Sequence, residues 1–110
     1  MSLELCITFC EQCTDVCRAC AEMSEKIGGM EDCVKSCRAC SKTCSDCVQH
    51  LLDGRAILCN DCAADCLECA NVCSRYEHEH CERCASTCRE CAEACEEMMV
   101  VTRREHGYLG

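Results

Sequence analysis

The sequence contains no proline, no tryptophan, one phenylalanine and two tyrosines. Large apolar side chains are also scarce, because Leu, Ile, Val and Phe together make up only 17 of the 110 residues. The few aromatic residues and the net charge of −9 exclude the stacking surface and the basic patch of a nucleic-acid binder. No apolar run is long enough to span a bilayer. A chain of this composition would ordinarily be disordered.

Cysteine changes that expectation, since it accounts for 20 of the 110 residues. A secreted scaffold held together by disulfides fits poorly, because such scaffolds tend to be rich in glycine and proline turns. This chain has five glycines and no proline. Residues 1–6 carry no positively charged segment, no apolar run and no twin arginine, so no secretion signal is predicted. We therefore expect a cytoplasmic protein whose thiols stay reduced.

The cysteines form four groups of five with a regular spacing. Successive cysteines are 4, 3, 4 and 3 residues apart in the first two groups, and 3, 4, 3 and 4 residues apart in the last two. This is the a/d spacing of a heptad repeat, which places all five on one face of an α-helix, here called the cysteine seam. The groups are Cys6, Cys10, Cys13, Cys17 and Cys20; Cys33, Cys37, Cys40, Cys44 and Cys47; Cys59, Cys62, Cys66, Cys69 and Cys73; and Cys81, Cys84, Cys88, Cys91 and Cys95.

Breaks between these groups delimit four predicted helices, at about 3–26, 30–52, 55–75 and 79–104. Gly28 and Gly29 are expected to end the first helix. Gly54 is expected to end the second helix, and Asp53 is a candidate N-cap for the third. Short links make consecutive helices antiparallel neighbours. The sequence therefore predicts an all-α protein, in which residues 1–110 form one antiparallel up-down-up-down four-helix bundle with a cysteine-lined core.

Packing alone does not explain a core made of cysteine, because Leu or Val at these positions would bury more apolar area. Residues three or four apart on a helix have Cβ atoms about 5–6 Å from one another, close enough for two thiolates to share a metal ion. Soft thiolates favour copper(I), zinc and iron–sulfur clusters. All 20 cysteines are therefore predicted metal ligands.

Charge distinguishes between these metals. Filling the core with five tetrahedral zinc tetrathiolates would leave a charge of about −10 in an interior with no predicted lysine or arginine. One copper(I) ion per thiolate leaves no net charge, so we expect a copper(I) storage or sequestration protein that binds many ions, about one per cysteine. Two alternatives stay open: a metallothionein-like zinc or cadmium sink, and an iron–sulfur electron-transfer protein. The second is disfavoured because clusters usually take their cysteines from loops.

No catalytic site is predicted. The sequence has no phosphate-binding glycine loop and no Ser/His/Asp arrangement. It contains eight C-x-x-C pairs, and nothing marks one of them as an activated thiol-redox site. We therefore expect a binding protein and not an enzyme.

The segment His78–Cys95, with the sequence HEHCERCASTCRECAEAC, resembles the signature of the four-helix-bundle copper storage proteins. The resemblance extends over the whole chain, because all four predicted helices carry the cysteine seam, and it is to the cytosolic branch of the family. It implies many copper(I) ions along the bundle interior, histidine ligands near an open end, and homo-oligomers, commonly tetramers. The expected partners are copper ions, delivered by a copper chaperone or a small thiol.

The antiparallel topology assigns the remaining apolar and ligand-type residues to the two ends of the bundle. At one end, here called the mouth, Met30 and His80 are predicted to continue the cysteine seam. Met23 and His78 belong to the same end. These four residues are predicted copper ligands, because thioether and imidazole can capture copper(I) and release it more easily than thiolate does. The other end is predicted to carry an aliphatic plug formed by Leu3, Leu51, Leu52, Ile57, Leu58 and Met98.

Two further expectations concern the surface. His50 and His106 have no other ligand-type residues nearby in the pattern, so both are expected to be exposed. Phe9, Val16 and Met23 form an apolar stripe beside the seam of the first helix, which is a candidate subunit contact.

Overall fold

A computed structural model describes the backbone of residues 3–106 and the side chains of residues 3–100. It contains four α-helices, α1 (Leu3–Ile27), α2 (Glu31–Leu52), α3 (Cys59–Cys73) and α4 (Glu79–His106), and residues 3–106 include no strand. Helices α1 and α3 each pack against both α2 and α4. This confirms the predicted all-α four-helix bundle. No helix in the described part of the chain is long and apolar enough to cross a bilayer.

Consecutive helices run in opposite directions, as pairs of facing cysteines show. Cys20 of α1 lies beside Cys33 of α2, whereas Cys13 lies beside Cys40, so the numbering rises along one helix as it falls along the other. The same inverse pairing relates each helix to the next. The up-down-up-down arrangement therefore brings all four cysteine seams to one central axis.

Helix α3 begins at Cys59, four residues later than the sequence predicts. Asp53 is the C-cap of α2, not the N-cap of α3. The next residue, Gly54, has a φ of 77°, and its N–H and that of Arg55 donate to carbonyls of the last turn of α2 at 2.9 and 2.8 Å. In this Schellman-type ending the N–H of Arg55 is hydrogen-bonded to α2. The chain therefore forms a turn after Arg55, and α3 begins only after its N-cap, Leu58. The other three helices agree with their predicted bounds to within two residues.

The core consists almost wholly of cysteine. All 20 cysteines are at most 1% exposed. Small side chains lie next to the seams, so neighbouring helices can approach closely enough for their thiols to meet across the axis. The buried alanines are Ala21, Ala63, Ala70, Ala85, Ala92 and Ala94.

The aliphatic plug is smaller than predicted. Leu51 and Met98 are buried at 0% and 5% exposure, and Leu58 is half-buried. Leu52 directly follows Leu51 on the helix, so the two side chains leave it in different directions and only Leu51 faces the axis. Ile57 lies in the link before α3 begins. The three predicted plug residues that are exposed instead are Leu3, Leu52 and Ile57.

Candidate metal centre

The Sγ atoms of the cysteines form a continuous file along the bundle axis, here called the thiol column. Sulfurs from facing helices lie as close as 3.5 Å, between Cys44 and Cys62. Sulfurs from diagonally opposite helices also meet, since Cys13 Sγ lies 3.7 Å from Cys66 Sγ. All 20 cysteines are free thiols. The bundle therefore encloses one connected array of unmodified soft ligands.

Groups of four sulfurs, all within 4.8 Å of one another, follow each other along the column and share members. Tetrahedral zinc would hold its sulfurs about 3.8 Å apart, so distance alone does not select the metal. The sharing of cysteines between neighbouring groups is more informative. A thiolate that belongs to two groups can bridge two metal ions, which favours ions of low coordination number such as copper(I). Five of the groups are Cys10, Cys62, Cys91 and Cys95; Cys13, Cys44, Cys66 and Cys91; Cys13, Cys17, Cys40 and Cys88; Cys17, Cys69, Cys84 and Cys88; and Cys20, Cys37, Cys73 and Cys84.

No positive side chain compensates charge in the column. Among residues 3–100, no lysine or arginine is buried, and the buried polar side chains are Thr14, Ser24 and Ser41. An excess of thiolates over bound positive charge would therefore be costly. Monovalent copper, bound one ion per thiolate, keeps the column neutral, whereas zinc tetrathiolates do not.

Burial and contacts between the thiols shift their pKa values in both directions. Burial, with a contribution from nearby Cys33, raises the pKa of Cys81 to about 12. Hydrogen bonds with Cys10 and its neighbours raise the pKa of Cys95. Hydrogen bonds with Cys17 and Cys20 lower the pKa of Cys84, because a thiolate that accepts from several thiols is stabilised. A thiolate in the column is thus stabilised by hydrogen bonds from neighbouring thiols that keep their protons. Because most of the thiols are protonated, metal ions must displace these protons when they bind.

We expect the metal-free bundle to lose stability as the pH rises above about 9, the ordinary thiol pKa. Below that pH, thiols such as Cys81 are protonated in both states, and the folded state keeps its full advantage. Above it, the unfolded chain releases protons that the folded column still holds, so the free energy of unfolding falls until the pH passes the raised pKa of about 12.

Anaerobic denaturation followed by circular dichroism at about pH 9 and about pH 10.5 measures this loss, because folded-state thiols with a lowered pKa, such as Cys84, are already deprotonated at both values. The copper-loaded protein is the control, because it contains the same lysines and tyrosines but no thiol protons. A metal-free protein whose free energy of unfolding is unchanged at the higher pH would contradict the prediction.

The structure brings the predicted mouth residues to one end of the bundle, with different degrees of enclosure. The rings of His78 and His80 stack with their centroids 5.3 Å apart. Met30 is 3% exposed and packs in the core cluster at the start of α2. Met23 is 48% exposed and is the least enclosed of the four. Imidazole and thioether groups therefore do lie at this end, and their binding of metal remains a prediction.

Ser24 also belongs to the site, although it was not among the site residues predicted from the sequence. Its side chain is fully buried, and its Oγ lies 3.6 Å from Cys33 Sγ and 3.9 Å from Cys20 Sγ. The hydroxyl also lies 3.1 Å from Nε2 of His80. The spacing carried the signal, because Ser24 is four residues after Cys20 and continues the alternation of three and four.

His50 is not exposed as predicted. The residue is partly buried, and its Nδ1 is buried with no hydrogen-bond partner among the described residues. It lies two helical turns after Thr43, whose hydroxyl donates to Asp65 of α3 at 2.6 Å, so His50 is on the face of α2 that meets α3. The prediction for His106 falls outside the described side chains.

Comparison with known proteins gives consistent matches. The family model of copper storage proteins, Csp, matches residues 1–100. The Cu(I)-bound copper storage protein BsCsp3 is 29% identical, with a TM-score of 0.82 over 86% of this chain and 95% of that protein. Apo copper storage protein 3 from Bacillus subtilis is also 29% identical, with a TM-score of 0.81 over 88% of this chain and 98% of that protein.

A cytosolic copper storage protein from Streptomyces lividans, loaded with five coppers, is 27% identical, with a TM-score of 0.81 over 89% of this chain and 92% of that protein. A search of curated proteins found no match. The resemblance of this chain to the four-helix-bundle copper storage proteins is thereby confirmed. With a family match over residues 1–100 and the cysteines of all four helices in one buried column, the chain belongs to the copper storage protein family.

Proposed function

We propose that this protein stores copper(I) along the thiol column, with about one ion per cysteine. The observation that carries the proposal is the column itself: 20 buried free thiols in overlapping groups, with no buried lysine or arginine among the described side chains. Such an array is neutral when each thiolate binds one monovalent ion. Similar structures described as Cu(I)-bound or copper-loaded support the same metal.

The two alternative metals fit the column less well. Five zinc tetrathiolates would leave an uncompensated negative charge in the core. Iron–sulfur clusters usually take cysteines from loops, whereas every cysteine of this chain lies within one of the four helices. Anaerobic metal titration followed by absorption tests the assignment, because copper(I)–thiolate absorbs only in the ultraviolet and an iron–sulfur protein also absorbs in the visible.

We infer that the 20 cysteines are the storage ligands and that His78, His80, Met30 and Met23 bind copper more weakly at the mouth. The protein acts as a store without catalysis, in keeping with its family. We place it in the cytoplasm, where its S. lividans relative is described as cytosolic. A copper chaperone or a small thiol would deliver the ions.

Copies of this chain are proposed to form homo-oligomers through the stripe on α1. Phe9 and Val16 of that stripe are half-buried against the core, and Met23 is 48% exposed. The resemblance to the copper storage family supports a tetramer. In that arrangement the exposed part of the stripe would be covered by another copy.

Replacing the mouth ligands is expected to slow copper exchange without emptying the store. The variant carries Met23→Leu, Met30→Leu, His78→Gln and His80→Gln, which keep side-chain size but remove the thioether and imidazole ligands. We expect loading, and removal by a chelator, to slow about tenfold, since supporting ligands typically change metal affinity or activity by that order. Capacity should fall only by the few ions held at the mouth, because all 20 thiolates remain.

Timed anaerobic loading and chelator removal measure both quantities. The matched control is Leu52→Ala with Ile57→Ala, because both side chains are more than 60% exposed at the opposite end and their loss leaves the core intact. Slow exchange in this control, with ordinary rates in the mouth variant, would place copper uptake at the opposite end of the bundle.

A further inference from the structure

The thiol column ends at a hydroxyl group. Ser24 takes the next seam position after Cys20 on α1, and its side chain is 0% exposed. Its Oγ lies 3.6 Å from Cys33 Sγ, and Cys33 Sγ lies 3.6 Å from Cys73 Sγ and 3.8 Å from Cys81 Sγ. The hydroxyl of α1 therefore contacts a sulfur of α2 that itself lies beside sulfurs of α3 and α4, so all four helices contribute to this cluster at the mouth.

The same hydroxyl contacts an imidazole outside the column. Ser24 Oγ lies 3.1 Å from Nε2 of His80, at the start of α4. A free imidazole can present either ring nitrogen, and a hydrogen bond to one of them selects the tautomer and holds the ring orientation. Ser24 thus links a histidine at the mouth to the outermost thiols, Cys20 and Cys33.

We propose that Ser24 is a positioning residue for copper transfer, holding Nε2 of His80 at the outer end of the column beside Cys20 and Cys33. This inference rests on the proposed copper storage function. In this arrangement the ring proton of His80 is on Nδ1, and in the metal-free protein the Ser24 O–H donates to the lone pair of Nε2, which keeps that lone pair directed at the column. Copper(I) takes the lone pair when the hydroxyl rotates away from Nε2 towards the sulfur of Cys33, 3.6 Å from Ser24 Oγ. A ligand held in place this way binds without the cost of ordering it first.

The choice of hydroxyl over thiol at this seam position also has a chemical consequence. Copper(I) is soft and binds hydroxyl oxygen weakly, so Ser24 can orient His80 without retaining the ion. A thiol here would add another strong ligand at the point through which copper must leave. Ser24 therefore keeps the outer end of the column easy to exchange.

The first test compares Ser24→Ala with wild-type protein in timed anaerobic loading from a copper(I)–thiol donor. We expect slower loading, by several-fold, with an unchanged capacity of about 20 ions, because no thiolate is lost. The matched control is Ser41→Ala, since Ser41 is also buried but its hydroxyl donates to the Arg38 carbonyl of its own helix at 3.0 Å. Wild-type loading rates in Ser24→Ala would overturn the proposal.

The second test uses Ser24→Cys, which preserves a small side chain at the position. We expect capacity to rise by about one ion and chelator-driven removal to slow, because the outer end then carries an additional thiolate. Removal at the wild-type rate would overturn the role assigned to the hydroxyl. This variant keeps the proposal testable if Ser24→Ala does not fold.

The third measurement is a long-range ¹H–¹⁵N spectrum of the imidazole groups in the metal-free wild-type protein. We expect His80 to be in the tautomer protonated at Nδ1, and its Nε2 signal to move with the first copper equivalents. Protonation at Nε2 would overturn the proposal. A wild-type capacity far below 20 ions would instead reject the storage function, whereas full capacity with unchanged Ser24→Ala rates rejects only the positioning role.

Discussion

Anaerobic titration of the reduced protein with copper(I) is expected to saturate at about 20 ions per chain, one for each cysteine. The physical reason is neutrality, because the column holds 20 buried thiols and no described lysine or arginine is buried to offset thiolates that lack a metal ion. Weak ligands at the mouth would change the total by only a few ions. Competition with a calibrated copper(I) chelator measures the capacity.

A pair of cysteine substitutions tests directly whether each thiolate accounts for one copper ion. Cys13 and Cys66 face each other across the axis with sulfurs 3.7 Å apart, and both belong to the same group of four thiols. If each thiolate accounts for one ion, Cys13→Ser with Cys66→Ser lowers the capacity by about two ions. Saturation of the wild-type protein near five ions, with zinc displacing copper, would contradict copper storage and favour tetrahedral sites.

Copper loading is expected to raise the melting temperature by more than about 20 °C. The native array binds copper far better than the unfolded chain, and one site filled at a thousand times its dissociation constant already contributes about 4 kcal/mol. The metal-free bundle is expected to have a low free energy of unfolding, because cysteine buries less apolar area than leucine or valine would. Several filled sites therefore move the unfolding transition strongly upward.

Thermal unfolding followed by circular dichroism, with and without copper under anaerobic conditions, measures this shift. The helical signal at low temperature should be nearly the same in both forms, since the cysteine spacing already specifies helices without metal. The Ser41→Ala protein is a suitable control, because its substitution lies outside the column and should leave the copper-induced shift unchanged. Equal melting temperatures with and without copper would show that the cysteines serve packing alone.

The sequence by itself determined the helices, the bundle and the buried position of the cysteines. A spacing that alternates three and four residues places five side chains on one helical face, and four such faces connected by short links can be buried only against one another. The same repetition indicated the class of ligand, because cysteine at nearly every core position leaves soft-metal binding as the simplest function. Each of these conclusions depends on local periodicity and composition.

Only the tertiary structure decided where α3 begins, and which side chains are buried and in contact at the two ends of the bundle and beside the cysteine seams. The start of α3 depends on how α2 ends at Gly54, and His50 is partly buried on the face of α2 that meets α3. The contact between Ser24 and His80 joins residues 56 positions apart in the chain. At the ends the cysteine repeat stops, so what each side chain meets there depends on the relative heights of neighbouring helices, which no periodicity within one helix specifies.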